Sequence, residues 1–322
     1  MKGVPDELQQ TLRVFELIDS GHVCGQDVVD LFVDFPGVTA STIRAEGPNG
    51  VADLVRIDIT GSSGKTQGGQ APTLGIIGRL GGIGARPVRI GMVSDADGAI
   101  TAIASALKLA EMRSKGDILP GDVAITTHIC PHAPIRAHDP VDFMSSPIDH
   151  ITMNSHEVMV EADAILSIDT TKGNRIINHN GYALSPTVKQ GYILRVSEDL
   201  LRIMEITCGH YAVTFPITIP DITPCGNGIH HLNSILQPST VTHAPVVGVA
   251  ICTQSMIPGC ATGASHETDI AKAVKFTVEV AKEFVSGTCR FYDESEFSRL
   301  LSLYGSLAHL QQHKHDHTAT KL

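Results

Sequence analysis

The segment from Val88 to Thr127 restricts the fold of this chain more than any other. It runs from the apolar stretch VRIGMV through the acidic turn SDADG into the helical pattern AITAIASALKLAEM, and it ends in a second apolar stretch, VAITT. This order predicts a strand, a helix and another strand parallel to the first. Open α/β proteins bind ligands at the carboxyl edge of such strands, so we expect a functional site where the two strands end.

The rest of the chain continues this alternation of strand and helix patterns. Helices are predicted at 7–34 (two), 197–209, 270–284 and near 294–310, and strands at 52–61, 73–78, 162–169, 181–185, 191–196, 214–219 and 244–251. Ser197 is the expected amino-terminal cap of its helix. We therefore predict one domain over residues 1–322, with a three-layer αβα fold around a mostly parallel mixed sheet.

Two segments fall outside the regular pattern. Residues 133–157 form a polar, Pro-containing connection that is longer than packing requires, and such connections are usually functional or mobile loops. Residues 309–322 form a His-rich polar tail, which we expect to be solvated.

Composition excludes several classes of function. The formal net charge is −10 and the chain has no Trp, so we expect neither a basic surface for nucleic acid nor platforms for base stacking. No apolar stretch is long enough to span a bilayer, and the first residues lack a signal-peptide pattern. The seven cysteines are scattered without a CxxC pair, which indicates reduced thiols and a cytoplasmic location.

Acidic and imidazole side chains gather at the predicted strand and helix ends. The candidate metal ligands are Asp95, Asp97, His128, His132, Asp169 and His266. Carboxylate and imidazole donors suit zinc or manganese, so we predict a divalent metal site, with zinc preferred. Simpler roles exist for five of them. Asp95 or Asp97 can cap a helix, His128 and His132 can belong to an exposed loop, and Asp169 can pair with Lys172.

Further polar residues lie near the same predicted edge. Glu267 is a candidate for proton transfer, and Lys172 and Arg79 are candidates for holding a substrate carboxylate or oxyanion. The candidate substrate-binding residues are Asn174, Asn227, His230 and His231. A first-turn acidic residue is the simpler interpretation of Glu267, and a tight turn before a helix is the simpler interpretation of the segment around His230.

Three stretches, GIGARPVRIGMVSDADGA, GDVAITTHICPHAP and LSIDTTKGNRIINHNGYALSPTVKQGYI, resemble the domain-of-unknown-function family 1177. This resemblance covers nearly the whole chain and implies no activity. The order of site residues also resembles the co-catalytic zinc exopeptidase clan with its phosphorylase/hydrolase-like core. In that comparison Asp95 or Asp97 corresponds to a metal-bridging Asp, Asp169 to a strand-terminal Asp, and His266 to a closing His.

The chain also departs from that clan. Arg79 and Gly81 stand where the clan has its first metal-binding His and the Asp that orients the base, and His128 lies where its Glu pair falls. The resemblance therefore implies an altered site that uses imidazoles, a single-metal site, or a fold that has lost hydrolysis.

These observations favour a metal-dependent hydrolase of a small amide or peptide-like substrate, in which a metal-bound water attacks the carbonyl. A non-catalytic protein that binds or senses a small molecule on the same fold is the alternative, and a metal-free lyase or isomerase is a third. We expect a homo-oligomer, because α/β enzymes of this size are commonly symmetric assemblies.

Overall fold

The computed structural model describes residues 6–79, 81, 83–137, 142–171, 177, 179–216, 232–254 and 265–311. The helices in these ranges are α1 (Asp6–Ile18), α2 (Gly25–Asp30), α3 (Asp97–Ser114), α4 (His150–Glu157), α5 (Glu198–Cys208), α6 (Glu267–Val285) and α7 (Glu294–Tyr304). The strands are β1 (Val38–Gly47), β2 (Gly50–Ile59), β3 (Leu74–Gly78), β4 (Val123–Ile129), β5 (Ile135–Arg136), β6 (Phe143–Met144), β7 (Ala164–Thr170), β8 (Gly181–Leu184), β9 (Val188–Lys189), β10 (Tyr192–Ile193) and β11 (Val246–Cys252).

A mixed sheet forms the centre of the fold. Its strand order is β1-β2-β4-β3-β7-β11-β9-β10, and β8 also pairs with β11. The four central strands, β4, β3, β7 and β11, are mutually parallel, and antiparallel strands flank them on both sides. Every residue of these four strands is buried, as expected for parallel strands covered on both faces. The predicted α/β fold is confirmed.

The two faces of the sheet are covered differently. On the first face, α1, α3 and α6 pack against one another, and α5 packs against α6. On the second face lie α4 and a 3₁₀ helix at Ser234–Thr240. Side chains alternate between faces along each strand. Thus Ile76 packs in the large core of the first face, whereas its neighbour Ile77 packs in a smaller core on the second.

The prediction of a strand at VRIGMV, residues 88–93, is wrong. This segment is a turn with one isolated bridge between Gly84 and Met92, and Ile90 is 98% exposed. The position beside β4 is taken by β3, so the strand–helix–strand unit is β3–α3–β4. A strand is stabilised by hydrogen bonds to neighbouring strands, so an apolar segment that pairs with no strand has no reason to stay extended.

The connection predicted at 133–157 holds regular structure. It contains the small β5–β6 sheet and the helix α4. Asp149 caps α4 by accepting the Thr152 backbone N–H at 2.8 Å, which is the type of cap that starts a helix. The carbonyl of Glu157 at the other end accepts the Thr126 hydroxyl of β4 at 2.8 Å. The second of these hydrogen bonds joins the end of α4 to β4 on the second face.

The remaining predictions fare unevenly. Ser197 caps α5 as predicted, accepting the Leu200 N–H, and β8 lies at the strand expected over 181–185. Residues 217–219 of another predicted strand and residues 312–322 of the tail lie outside the described residues. None of the described helices is both long and apolar enough to span a membrane.

Candidate active site

Three polar side chains meet where the central strands end. Gly78 of β3 pairs with Ile168 of β7, so the next residues, Arg79 and Asp169, lie side by side. His128 is the penultimate residue of β4, the strand on the other side of β3. Strand alternation directs Arg79, His128 and Asp169 to the second face, and all three are at least 98% buried.

Arg79, His128 and Glu157 form a buried network on this face. Glu157 is the last residue of α4, and its Oε1 lies 2.6 Å from His128 Nδ1. Its other oxygen, Oε2, accepts a hydrogen bond from Arg79 Nη1 at 2.7 Å. Arg79 Nη2 donates a longer hydrogen bond of 3.4 Å to Gln237 Oε1. Arg79, predicted as a substrate-holding residue, therefore binds two side chains of the protein itself.

The charges of this network stabilise one another. Burial alone would raise the pKa of Glu157, but the charges and hydrogen bonds of His128 and Arg79 outweigh burial and lower that pKa. An ionised Glu157 accepts the Nδ1–H of His128.

Sequence reasoning missed Glu157, because we interpreted residues 133–157 as an irregular connection. A signal was present: Asp149 begins a capped eight-residue helical segment, and Asn154 and Glu157 are spaced three apart along it. Of the three buried residues of α4, however, only Met153 is apolar, so the segment lacks the apolar periodicity by which a helix is usually recognised.

The predicted aspartates Asp95 and Asp97 are both buried at the start of α3. Asp97 accepts the Ser265 hydroxyl at 2.6 Å. Gly98 holds this helix start against the strand ends, since a Cβ at Gly98 would lie 2.6 Å from the Ile168 carbonyl and 2.7 Å from the Arg79 carbonyl. The carboxylates of the α3 start therefore lie at the same edge as the strand-end residues.

Asp95 and His128 line a common pocket. Its cavity volume is about 20 Å³, and Ala133 and residues 144–147 complete the lining. The structure thus brings together one carboxylate from the α3 start and one imidazole from β4, as the sequence predicts. Of the three network residues, His128 lines this pocket.

The Asp169 carboxylate is held mainly by protein contacts. Its Oδ1 accepts the Thr170 backbone N–H at 2.7 Å, and its Oδ2 lies 3.5 Å from the Ser234 hydroxyl. The alternative partner Lys172 lies outside the described residues. Asp169 is thus a buried carboxylate beside Arg79, on the same face as His128.

His266 lies at the start of α6, on the far side of this edge. Its Nδ1 is 2.9 Å from the Thr253 hydroxyl, just beyond β11, and the preceding residue, Ser265, binds Asp97. Glu267 is the first residue of α6 and is partly buried, a position that suits its simpler role as a first-turn acidic residue.

His132 is placed apart from His128. Its side chain is exposed, whereas that of His128 is 2% exposed. The chain leaves the sheet after Ile129, and His132 forms only an isolated bridge with Ala85. Asn174, Asn227, His230 and His231 lie outside the described residues.

The donor atoms of this edge suit a divalent cation, but the described residues do not complete a metal site. Within the described ranges, no group of three His, Cys, Asp or Glu side chains could hold a metal ion. The six-ligand set Asp95, Asp97, His128, His132, Asp169 and His266 therefore stays a prediction. A complete ligand set would have to include residues from outside those ranges.

Comparison with known proteins supports the fold and shows the family. No curated protein matches this chain. A solved structure entitled "Bottromycin maturation enzyme BotP in complex with Mn" is similar in fold, with a TM-score of 0.50 and 11% sequence identity, over 86% of this chain and 71% of that one. A family model described as "Protein of unknown function (DUF1177)" matches residues 43–314. Because this match spans most of the sequence, the chain belongs to the DUF1177 family.

Proposed function

We propose that this protein is a hydrolase of small amide or peptide-like substrates and that it acts at the carboxyl edge of the central strands. The observation that carries the proposal is the buried His128–Glu157 pair beside a pocket that Asp95 also lines. An imidazole whose Nδ1 is fixed by a carboxylate is the usual arrangement of a general base. The fold shared with BotP, a maturation enzyme, is consistent with such a role.

The proposed cofactor is a divalent metal ion, zinc or manganese. BotP was solved with Mn, and the buried Asp95, Asp97 and Asp169 offer the oxygen donors that such ions prefer. A cation at this edge would also offset the free-energy cost of burying several carboxylates near a single guanidinium. When bound, such an ion would supply an acidified water and polarise the substrate carbonyl.

The residues of the chain have separate roles in the proposed reaction. Glu157 keeps the Nδ1 of His128 protonated, so that Nε2 can take a proton from the attacking water and return it to the leaving amide nitrogen. Arg79 holds Glu157 in place from the opposite side and keeps it ionised. General acid–base catalysis of this kind contributes about 10²–10⁴-fold to a rate.

A substrate screen tests the proposal. Dipeptides, N-acyl amino acids and lactams would be incubated with tag-free protein whose zinc and manganese content is measured by elemental analysis. We expect hydrolysis that a chelator abolishes and the metal restores. The variant His128→Asn should lower kcat/KM by about 10²–10⁴-fold. The control His156→Asn, at an exposed histidine of α4, should stay within about twofold of the wild type.

The other outcomes of this screen assign other functions. Both Glu157 oxygens are engaged by the protein itself, an arrangement that would also serve a purely structural role in a non-catalytic binding protein. Binding of a small molecule without turnover would favour that candidate. Turnover that a chelator does not change would favour a metal-free lyase or isomerase and would contradict the proposed metal dependence.

A further inference from the structure

The two outer edges of the central sheet are built differently. One edge is β10, a strand of two residues, and the chain after α7 packs against it. The Tyr192 hydroxyl donates to the Gly305 carbonyl at 2.6 Å, and a Cβ at Gly191 would lie 2.7 Å from the Leu307 carbonyl oxygen. The other edge is β1, which is ten residues long. The protein therefore covers its short edge with its own residues, and the long edge needs a separate explanation.

The strand β1 has none of the features that usually protect an edge. It pairs with β2 in an unbroken register from Val38 to Gly47, so it has no bulge, and it contains neither Pro nor Lys. No residue of β1 is buried. Among the described helices and strands, only β2 and α2 make extensive contact with β1, and no described strand pairs with its outer side. Natural proteins usually protect an edge of this length or pair it with another strand.

The outer side of β1 presents backbone groups that can pair with one more strand. Alternate residues of an antiparallel strand direct their N–H and C=O groups to opposite sides, so half of those on β1 point away from β2. The Arg44 guanidinium does not extend over them, because it binds Asp53 of β2, its cross-strand neighbour, at 2.8 and 3.1 Å. The edge is therefore open to an antiparallel strand.

The exposed side chain of Ile43 ends an apolar row on the second face. Ile43 lies opposite Leu54 of β2, and Leu54 lies opposite His128 of β4. Leu54 belongs to an apolar cluster with Met144 and Ile148 and is 5% exposed, whereas Ile43 is 56% exposed. The apolar row thus continues to the edge of the sheet, and there the described residues leave it uncovered.

We propose that β1 pairs antiparallel with β1 of a second copy of this chain, so that the two sheets become continuous. A two-fold axis at Ile43 pairs residues 39–47 of both strands. This pairing forms roughly eight to ten backbone hydrogen bonds, as many as a typical interface contains. The two Ile43 side chains lie opposite each other and cover the exposed ends of the two apolar rows.

A second copy fits this edge because the pairing is self-complementary. In this register Arg44 lies opposite Thr42 of the second copy, and Glu46 lies opposite Ala40. Neither charge stands directly opposite a like charge, which would destabilise the pair. The contact is isologous, as in most two-fold symmetric dimers.

Sedimentation velocity and light scattering of the full chain test the interface. At about 50 μM we expect a dimer, with twice the mass of the chain. Ile43→Lys places two ammonium groups opposite each other at the axis, so it should weaken the dimer by at least about tenfold. The matched control is Ile206→Lys on α5, at an Ile that is 68% exposed, and it should leave the dimer unchanged. Circular dichroism melts show that each variant is folded.

A disulfide experiment tests the register without adding a charge. Because the two copies of position 43 face each other across the axis, Ile43→Cys should form a covalent dimer under mild oxidation, and a reducing agent should reverse it. The control is Thr39→Cys, another exposed position of β1. The two copies of position 39 lie about 27 Å apart in this register, so this variant should form no more covalent dimer than the wild type.

Three results overturn the proposal. A chain that stays monomeric at about 50 μM leaves the edge to water or to a strand of a different protein. A dimer that Ile43→Lys does not weaken uses another surface. Covalent dimers of Thr39→Cys without those of Ile43→Cys contradict the register. None of these measurements depends on turnover, so failure of the interface and failure of the proposed hydrolase are told apart.

Discussion

The two faces of the central sheet differ in chemistry, although the same strands form both. The first face presents mostly apolar side chains to α3 and α6, with Thr127 and Thr170 as its polar residues on β4 and β7. The second face carries a smaller apolar core, which includes Ile77, Ala124 and Ile165. At the carboxyl ends it carries Arg79, His128 and Asp169.

This difference shows how one sheet can support both stability and a reactive site. Apolar burial on the first face stabilises the strand order, and it offsets the cost of burying ionised groups on the second. The stabilising and the reactive residues can lie next to each other in sequence, because successive side chains of a strand point to opposite faces of the sheet. The effect of a substitution on stability should therefore depend on charge and hydrogen bonding at the second face, and on side-chain shape at the first face.

The largest effect should come from breaking the buried ion pair of the second face. Arg79→Met leaves the Glu157 carboxylate buried without its cation, which should lower the free energy of unfolding by about 3–5 kcal/mol. Urea denaturation measures the change. The control Arg202→Met breaks a pair with Glu283 on the surface and should cost about 0–1 kcal/mol.

A double variant sharpens this test. Replacing both partners, Arg79→Met with Glu157→Leu, removes the uncompensated charge and should recover a large part of the lost stability. If Arg79→Met lowers the free energy of unfolding by less than the surface control does, Glu157 is either protonated or solvated. That result would contradict the proposed contrast between the two faces.

The next effect concerns shape, at the point where α3 meets the strand ends. Gly98→Ala would normally stabilise a helix by roughly 0.5–1 kcal/mol. Here the added Cβ meets the carbonyls of Ile168 and Arg79 at 2.6 and 2.7 Å, so we expect a net loss of roughly 1–3 kcal/mol. Thermal and urea unfolding check the sign. Ser114→Ala, at the exposed end of the same helix, is the control and should change stability by less than about 0.5 kcal/mol. A gain in stability for Gly98→Ala would show that α3 does not press on the strand ends.

Sequence patterns predict the first face better than the second. Continuous apolar runs identify β3, β4, β7 and β11, and apolar periodicity identifies α5 and α6, because these elements are stabilised by burial that the residue types themselves report. The same rule misassigned residues 88–93. That run is apolar enough for a strand, but the neighbouring position in the sheet belongs to β3, and only tertiary structure decides such a competition.

For a related reason, the sequence predicts only some of the residues of the candidate site. His128 and Asp169 close buried strands, where a polar residue is conspicuous. Glu157 contacts His128 from 29 residues away, on a helix that buries polar residues beside Met153, and no local pattern reports that contact. His132 resembled His128 in type and spacing, yet it follows the point where β4 ends and is exposed.

A smaller effect should appear in the pH dependence of stability. The pKa of His150 is lowered to about 4 by burial and by the charge of Arg79, whereas an unfolded His has a pKa of about 6.5. Between these values the unfolded chain binds a proton that the folded chain does not, so stability falls as the pH drops from about 6.5 toward 4. His150→Gln should remove roughly 1–2 kcal/mol of this acid-induced loss. His156→Gln, on the exposed side of α4, should leave the pH profile as in the wild type, and an unchanged profile for His150→Gln would mean that the imidazole is solvated.

The smallest effect should come from an ordinary feature on the first-face side. Ser197 caps α5 by accepting the Leu200 N–H, and its hydroxyl also donates to the Arg290 carbonyl. Ser197→Ala should therefore cost about 1 kcal/mol, the typical value of a lost cap. Ser197→Asp, which can still cap the helix but cannot donate to Arg290, should recover part of the loss in the same urea titration. Neither change should alter turnover, since α5 packs against α6 on the first face. An effect on turnover would mean that the two faces of the sheet are coupled, which would contradict the separation on which the preceding predictions rest.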